Sequence, residues 1–326
     1  MKKTVFPKHN ETAPHKLDPL VRQQLEAKPS SGDFFAAYKP NIYDIDVITA
    51  RNTATFGLDI SEGIHVHSTS ISGKGYELPA RVYRSASPSG HIVLFLHGGA
   101  FMFGSVAHKD AQCRYLAQVS DATVISVEYR LAPENPYPAA VEDTIEAIRA
   151  CCGYPQDRLI IGGDSAGACL AANAIMRSKA FIDYAFFIYG AFDLNTSEHM
   201  RDPWSYEFYE HDESERDLIY NRLNRFRKLA VDMNMLYVRD ANPCSRRVSP
   251  AFAKSLSMFP SSLLVIAEFD YYRPCNEAFA RRLDKSGVDT EVLFYEGVDH
   301  GFFDRLGTLP QAKECIEEIG IRIKNL

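Results

Sequence analysis

Arg158-Leu159-Ile160-Ile161-Gly162-Gly163-Asp164-Ser165-Ala166-Gly167-Ala168-Cys169-Leu170 is the stretch on which the fold turns. It begins with a short apolar run of strand length. A Gly-x-Ser-x-Gly pentapeptide follows, then a run of small residues suited to a closely packed helix. Strand, sharp turn and helix in that order are the context a nucleophile elbow requires. The reason is steric: glycines on either side of the turn let the strand and helix approach one another. The serine hydroxyl then projects at a helix N-terminus, where developing negative charge is favoured. Without chemistry, the same letters read as a glycine-rich turn. The strand before and the helix after favour the nucleophile.

Working outward, further apolar runs occupy residues 92–96, 123–127, 185–189, 263–267 and 290–295. Runs buried on both faces of a parallel sheet look like this. Helix-compatible segments at 137–150, 166–178 and 274–286 lie between most of them. The alternation predicts an α/β fold with a mostly parallel, doubly wound sheet. Residues 191–260 break the rhythm with an aromatic group, Trp204, Tyr206, Phe208 and Tyr209, and a charged helical segment at 213–229. We read this interval as a helical excursion above the sheet. With residues 1–45 it forms an expected cap over a catalytic domain spanning 46–326.

Composition narrows the classes. The chain has 326 residues, 46% hydrophobic and 24% charged, ordinary values for a globular protein. They exclude a largely disordered, collagen-like or coiled-coil chain. The net charge of −6 gives no basic footprint for nucleic acid. No apolar run approaches the ~18 residues needed to span a bilayer. The opening Met1-Lys2-Lys3-Thr4-Val5-Phe6-Pro7 is not followed by an apolar signal core. Seven cysteines without a CxxC pair suggest neither a zinc site nor a disulfide framework. Reduced thiols and a cytoplasmic location are therefore expected.

A serine is a poor nucleophile without a base and a group to orient that base. Asp270 follows the run at 263–267, and His300 follows the run at 290–295. Both lie at carboxyl ends of expected strands, where open parallel sheets place their sites. In this reading His300 takes the Ser165 proton and Asp270 holds the histidine tautomer. Asp299 competes as the acid, but adjacent side chains point apart. His97-Gly98-Gly99-Ala100-Phe101 follows the run at 92–96 and suits an oxyanion loop. The expected backbone donors are Gly98, Gly99 and Ala100, with Ala166 after the nucleophile. His97 is read as structural, because a better-placed base exists.

Together these motifs resemble the hormone-sensitive-lipase-like family of α/β-hydrolase esterases, which includes bacterial acetyl esterases. Besides the two glycine motifs, the match rests on Tyr129-Arg130-Leu131-Ala132-Pro133-Glu134, Tyr137-Pro138-Ala139-Ala140-Val141-Glu142-Asp143, Asp270 and His300-Gly301-Phe302. It covers about residues 92–303. The resemblance implies a cofactor-free, metal-free carboxylic ester hydrolase with an N-terminal cap and a small-molecule ester substrate. It suggests short acyl chains, acetyl to butyryl, and is compatible with a homodimer. An amidase, an arylformamidase or a sugar or xenobiotic deacetylase on the same triad is the alternative. Two departures stand out: Ala100 replaces a glycine of the family's loop, and Tyr271-Tyr272-Arg273-Pro274 replaces the usual residues after the acid.

Phe101, Trp204 and Tyr271 are the expected substrate-binding side chains. The Trp204 group suits either an acyl pocket or packing of the cap. Asp164 is read as holding neighbouring loops, and the Tyr129–Glu134 stretch as scaffold. His65 and His67 share a strand face but lack a third metal ligand. The charged segment around Arg222 and Arg225 is read as a solvated helix face, with no stable membrane association. Cys169 is expected to be buried.

Overall fold

The apolar runs come together in one nine-stranded sheet in the computed structural model, which describes residues 1–9, 13–27, 51, 57–73 and 75–326. The strands are β1 (Lys2–Phe6), β2 (His65–Ser72), β3 (Glu77–Arg84), β4 (His91–Leu96), β5 (Thr123–Val127), β6 (Arg158–Asp164), β7 (Tyr184–Ile188), β8 (Ser261–Phe269) and β9 (Thr290–Asp299). Their order is β1-β9-β8-β7-β6-β4-β5-β3-β2. The β2–β3 and β3–β5 pairs are antiparallel and all others are parallel. Every residue of β5 and β7 is buried, so both faces of the sheet are covered.

The cover comes from α2 (Asp110–Ser120), α3 (Ala139–Cys152), α4 (Ala166–Arg177), α6 (Arg273–Lys285) and α7 (Pro310–Lys324). Helix α2 packs on α7, and α3 on α4. Residues 166–175 of α4 are all buried, and their small side chains let the helix lie close to the sheet. In α6 the buried Cys275, Ala278, Phe279 and Leu283 recur at helical spacing, while Arg281 and Lys285 face solvent.

The interval 191–260 carries 3₁₀ turns and the long helix α5 (Arg216–Met233), with no strand among its described residues. At the other end of the chain, Lys2–Phe6 does not rise above the sheet: it lies parallel to β9 and forms the sheet edge. Helix α1 (Pro19–Glu26) packs against α5. Buried Asp18 caps α1 by accepting from the Leu20 N–H, and also accepts from the His9 N–H and Gln311 Nε2. Its own N–H donates to the Gly297 carbonyl at 2.8 Å. The rest of the expected cap segment, residues 10–12 and 28–45, lies outside the described residues.

The chain order makes a crevice. From β4 it passes to β5 on one side, then returns to β6 on the other side of β4. Loops leaving β4 and β6 therefore diverge, and a site opens at their carboxyl ends. The turn after β6 is closely packed. A Cβ on Gly163 would lie 2.2 Å from the Leu96 carbonyl oxygen, and one on Gly167 2.0 Å from it. Gly163→Ala should therefore destabilise the protein by about 3 kcal/mol, at the upper end of ordinary overpacking. A urea unfolding midpoint equal to that of wild type would contradict this packing argument.

Candidate active site

Ser165 sits at the turn between β6 and α4 with φ 52° and ψ −114°, a backbone conformation costly for a residue with a Cβ. The neighbouring chain holds it there: its N–H donates to the Ile188 carbonyl at 2.8 Å, and its carbonyl accepts from Ala191. His300 follows β9 and Asp270 follows β8, so three strand ends converge. Ser165 Oγ donates to His300 Nε2 at 2.9 Å, and His300 Nδ1 donates to Asp270 Oδ2 at 2.9 Å. The other Asp270 oxygen accepts the Tyr272 N–H at 2.8 Å, which fixes the carboxylate plane. Asp270 and His300 are buried, while Ser165 is half-buried at the cavity floor. The arrangement can activate a hydroxyl by proton transfer to an oriented imidazole.

Asp299 points away from His300. Its carboxylate accepts from Arg222 Nε at 2.6 Å and Arg305 Nη2 at 3.0 Å. Burial disfavours its charge, but the Arg305 and Arg222 guanidinium groups outweigh that and hold the carboxyl at about 2. His97 does not join the Ser165–His300–Asp270 hydrogen-bonded chain. It is fully buried, donates through Nδ1 to the Gly98 carbonyl at 2.9 Å and stacks on Tyr129. Burial pushes its pKa down to about 3, so the ring is neutral. Tyr129 Oη donates to the His97 carbonyl, and Arg130 grips Asp143 through two nitrogens, which makes this stretch a support for the loop after β4.

The expected oxyanion donors divide. The Gly98 N–H donates to Asp164 Oδ1 at 2.8 Å and is thereby committed within the protein. Among the described residues, no acceptor engages the N–H groups of Gly99, Ala100 or Ala166. Gly99 has φ 129°, which a side chain would strain, and its Cβ would collide with the Phe103 carbonyl. Ala100 adopts φ 54°, so the extra methyl is accommodated in a backbone region that favours glycine.

A cavity of about 510 Å³ opens over Ser165 and His300. Phe226, Leu229 and Met233 of α5 form an apolar wall with Tyr272, and Gln24 and Leu25 of α1 contribute to the roof. The structure does not bring Phe101, Trp204 or Tyr271 to this lining. Phe101 is fully buried and stacks on Tyr237 at 3.9 Å. Trp204 packs against Tyr206, Tyr209 and Tyr271, and Tyr271 is itself fully buried. Their aromatic surface joins the 191–260 interval to the body instead.

Several site residues escaped the sequence reading. Arg222 was expected on a solvated face. It is instead largely buried, donating to Asp299 and, through Nη2, to the His300 carbonyl at 2.9 Å. The signal was Asp299 itself, a buried acid that needs a cation. Tyr189 lines the cavity beside His300, with ring centroids 4.6 Å apart, and burial holds its phenol well above the ordinary value. Lys109 and Asp304 also reach the lining. His65 and His67 lie exposed on the edge strand β2, and Cys169 is buried. None of the seven cysteines is paired. Among the described residues no helix is long and apolar enough to cross a membrane.

A family model for the alpha/beta hydrolase fold matches residues 93–304. The chain is 31% identical over 309 residues to the carboxylic ester hydrolase LipN of Mycobacterium tuberculosis, covering 88% of this chain and 77% of that relative. It is 32% identical over 279 residues to the arylesterase of Saccharolobus solfataricus, covering 78% and 82%. An esterase structure from Pyrobaculum calidifontis superposes with a TM-score of 0.76 at 30% identity, covering 95% of this chain and 98% of that one.

The Asp299 pair predicts an acid dependence. Its folded pKa lies below the ordinary 3.8, at about 2, so its stabilising share is complete above pH ~4 and is lost as pH falls through about 2. Asp299→Asn should flatten the fall in stability between those pH values. It should also cost about 3–5 kcal/mol near neutrality, because two buried guanidinium groups lose their counter-charge. Acid and urea unfolding curves for the variant check both effects, and an unchanged acid slope would contradict the assignment.

Proposed function

The chain belongs to the α/β-hydrolase family, in its hormone-sensitive-lipase-like branch, and on that premise we propose that it hydrolyses short-chain carboxylic esters through Ser165, His300 and Asp270. That it is a carboxylic ester hydrolase follows from the family. The observation that carries the finer reading is the hydrogen-bonded chain Ser165–His300–Asp270, with two links of 2.9 Å, at the floor of the cavity.

In this mechanism His300 Nε2 removes the Ser165 proton as Oγ attacks the ester carbonyl. Asp270 stabilises the imidazolium that results. The Gly99, Ala100 and Ala166 N–H groups receive the tetrahedral oxyanion. Such donors are preorganised and need no rearrangement as charge develops. Collapse expels the alcohol, which takes its proton from His300. A water molecule then repeats the sequence on the acyl-enzyme. Leu229, Met233 and Phe226 on one side of the cavity and Leu25 in its roof support a limit on acyl length.

Two measurements test the reading. Ser165→Ala should abolish the burst and steady-state hydrolysis of p-nitrophenyl acetate, and Asp270→Asn should lower kcat by about 10⁴-fold through loss of the correct tautomer. Across p-nitrophenyl esters of two to twelve carbons, turnover should peak between acetate and butyrate, and a matched anilide should react more slowly than its ester. Faster turnover of the dodecanoate would refute the short-acyl part while leaving the triad. A faster anilide would shift the assignment to an amidase.

A further inference from the structure

One buried ammonium joins the three loops that the proposed reaction depends on. Lys109, just before α2, has a side chain only 4% exposed. Its Nζ donates to Asp164 Oδ2 at 2.9 Å and to Asp304 Oδ1. Asp164 is the residue before Ser165, and its second oxygen, Oδ1, accepts the Gly98 N–H at 2.8 Å. Asp304 belongs to the 3₁₀ turn Phe302–Arg305 that follows His300. The nucleophile turn, the oxyanion loop and the loop behind the base therefore meet at a single cation.

The energetics suit a fixed bridge. Burial opposes charge on Lys109, but the Asp164 and Asp304 carboxylates outweigh it and raise the lysine pKa. The ammonium stays protonated, and at Asp164 it faces an almost fully buried carboxylate. A buried cation between two acids has few alternative positions that leave all three satisfied. Gly98 strengthens the constraint, because a Cβ there would lie 2.3 Å from Asp164 Oδ2. The approach leaves no room for a side chain at residue 98, and the Gly98 N–H meets that carboxylate directly.

We propose that Lys109 is a positioning residue, whose ammonium sets the register between the Ser165 turn, the Gly98–Gly99–Ala100 loop and the His300 loop. Among the described residues its Nζ is hydrogen-bonded to Asp164 and Asp304 and to no atom of Ser165 or His300, and the role argued for it runs through those two acids. The inference rests on the triad reading given above. Misplacement of reacting groups by about 1 Å costs on the order of 10²-fold in rate, so a loosened register should appear in kcat rather than in substrate affinity.

The test uses the full-length protein with p-nitrophenyl acetate, in Ser165→Ala, Lys109→Met and Lys109→Met/Asp164→Asn. Thermal unfolding is measured for each. Lys109→Met should lower kcat about 10²-fold and change KM by less than about threefold. It should also unfold at a lower temperature, since it strands a buried carboxylate. The double variant removes that stranded charge, and its amide oxygen still accepts the Gly98 N–H. Its unfolding temperature should recover while kcat stays at least about tenfold below wild type, because the bridge to Asp304 is missing. Should Lys109→Met fail to fold, the double variant carries the same comparison. Recovery of kcat together with stability in the double variant would overturn the positioning role and leave Lys109 a stability element. Loss of turnover in Ser165→Ala beside wild-type kcat in Lys109→Met would overturn the Lys109 proposal alone. Turnover retained in Ser165→Ala would overturn the nucleophile assignment, and this proposal with it.

Discussion

The Leu96 carbonyl oxygen occupies the space where side chains at residues 163 and 167 would begin. The site depends on that contact. It brings the end of β4 against the start of α4, so the Gly98–Gly99–Ala100 loop lies beside Ser165. It leaves Ser165 no relaxed conformation, and the left-handed φ that results projects the hydroxyl toward His300. The Ser165 N–H, donated to the Ile188 carbonyl of β7, and the Ala191 N–H, donated to the Ser165 carbonyl, hold the turn against its strain. This backbone contact sets how closely the β4 end and the Ser165 turn approach one another.

Around this frame the molecule pairs its buried charges in small ionic clusters. Asp299 lies between Arg222 and Arg305, and Lys109 lies between Asp164 and Asp304. Each group joins elements distant in the chain, and each includes a residue close to His300 or Ser165. An ion removed from water has few ways to be satisfied, so each of these contacts ties particular loops to one another. Ser165, Asp270 and His300 occupy strand ends, and the buried ions join the loops between those ends.

The parts legible in the sequence were those with local patterns. The central strands, read from short apolar runs, appear within one or two residues at most ends, because burial on both faces demands unbroken apolar stretches. The Ser165 turn was legible because its steric demand is met within five residues. Asp270 and His300 were reached by their placement after strands, and the structure joins them by hydrogen bonds. The side chains that line the cavity were not legible. Phe101 and Tyr271 are aromatic neighbours of site residues, yet their backbone turns them into the core. Lys109 and Arg222 went unnoticed as site residues because their roles depend on acids 55 and 77 residues away in sequence. The opening strand was missed because a short edge strand with two lysines carries little apolar signal.

Asp18 connects the roof of the cavity to its base. The residue caps α1, whose side chains overhang Ser165, and it is also bonded to Gly297 and Gln311. Gly297 precedes His300 by three residues on β9. The roof helix and the strand that leads to His300 therefore share one buried anchor, so a change at Asp18 reaches both the cover of the cavity and the backbone beneath it.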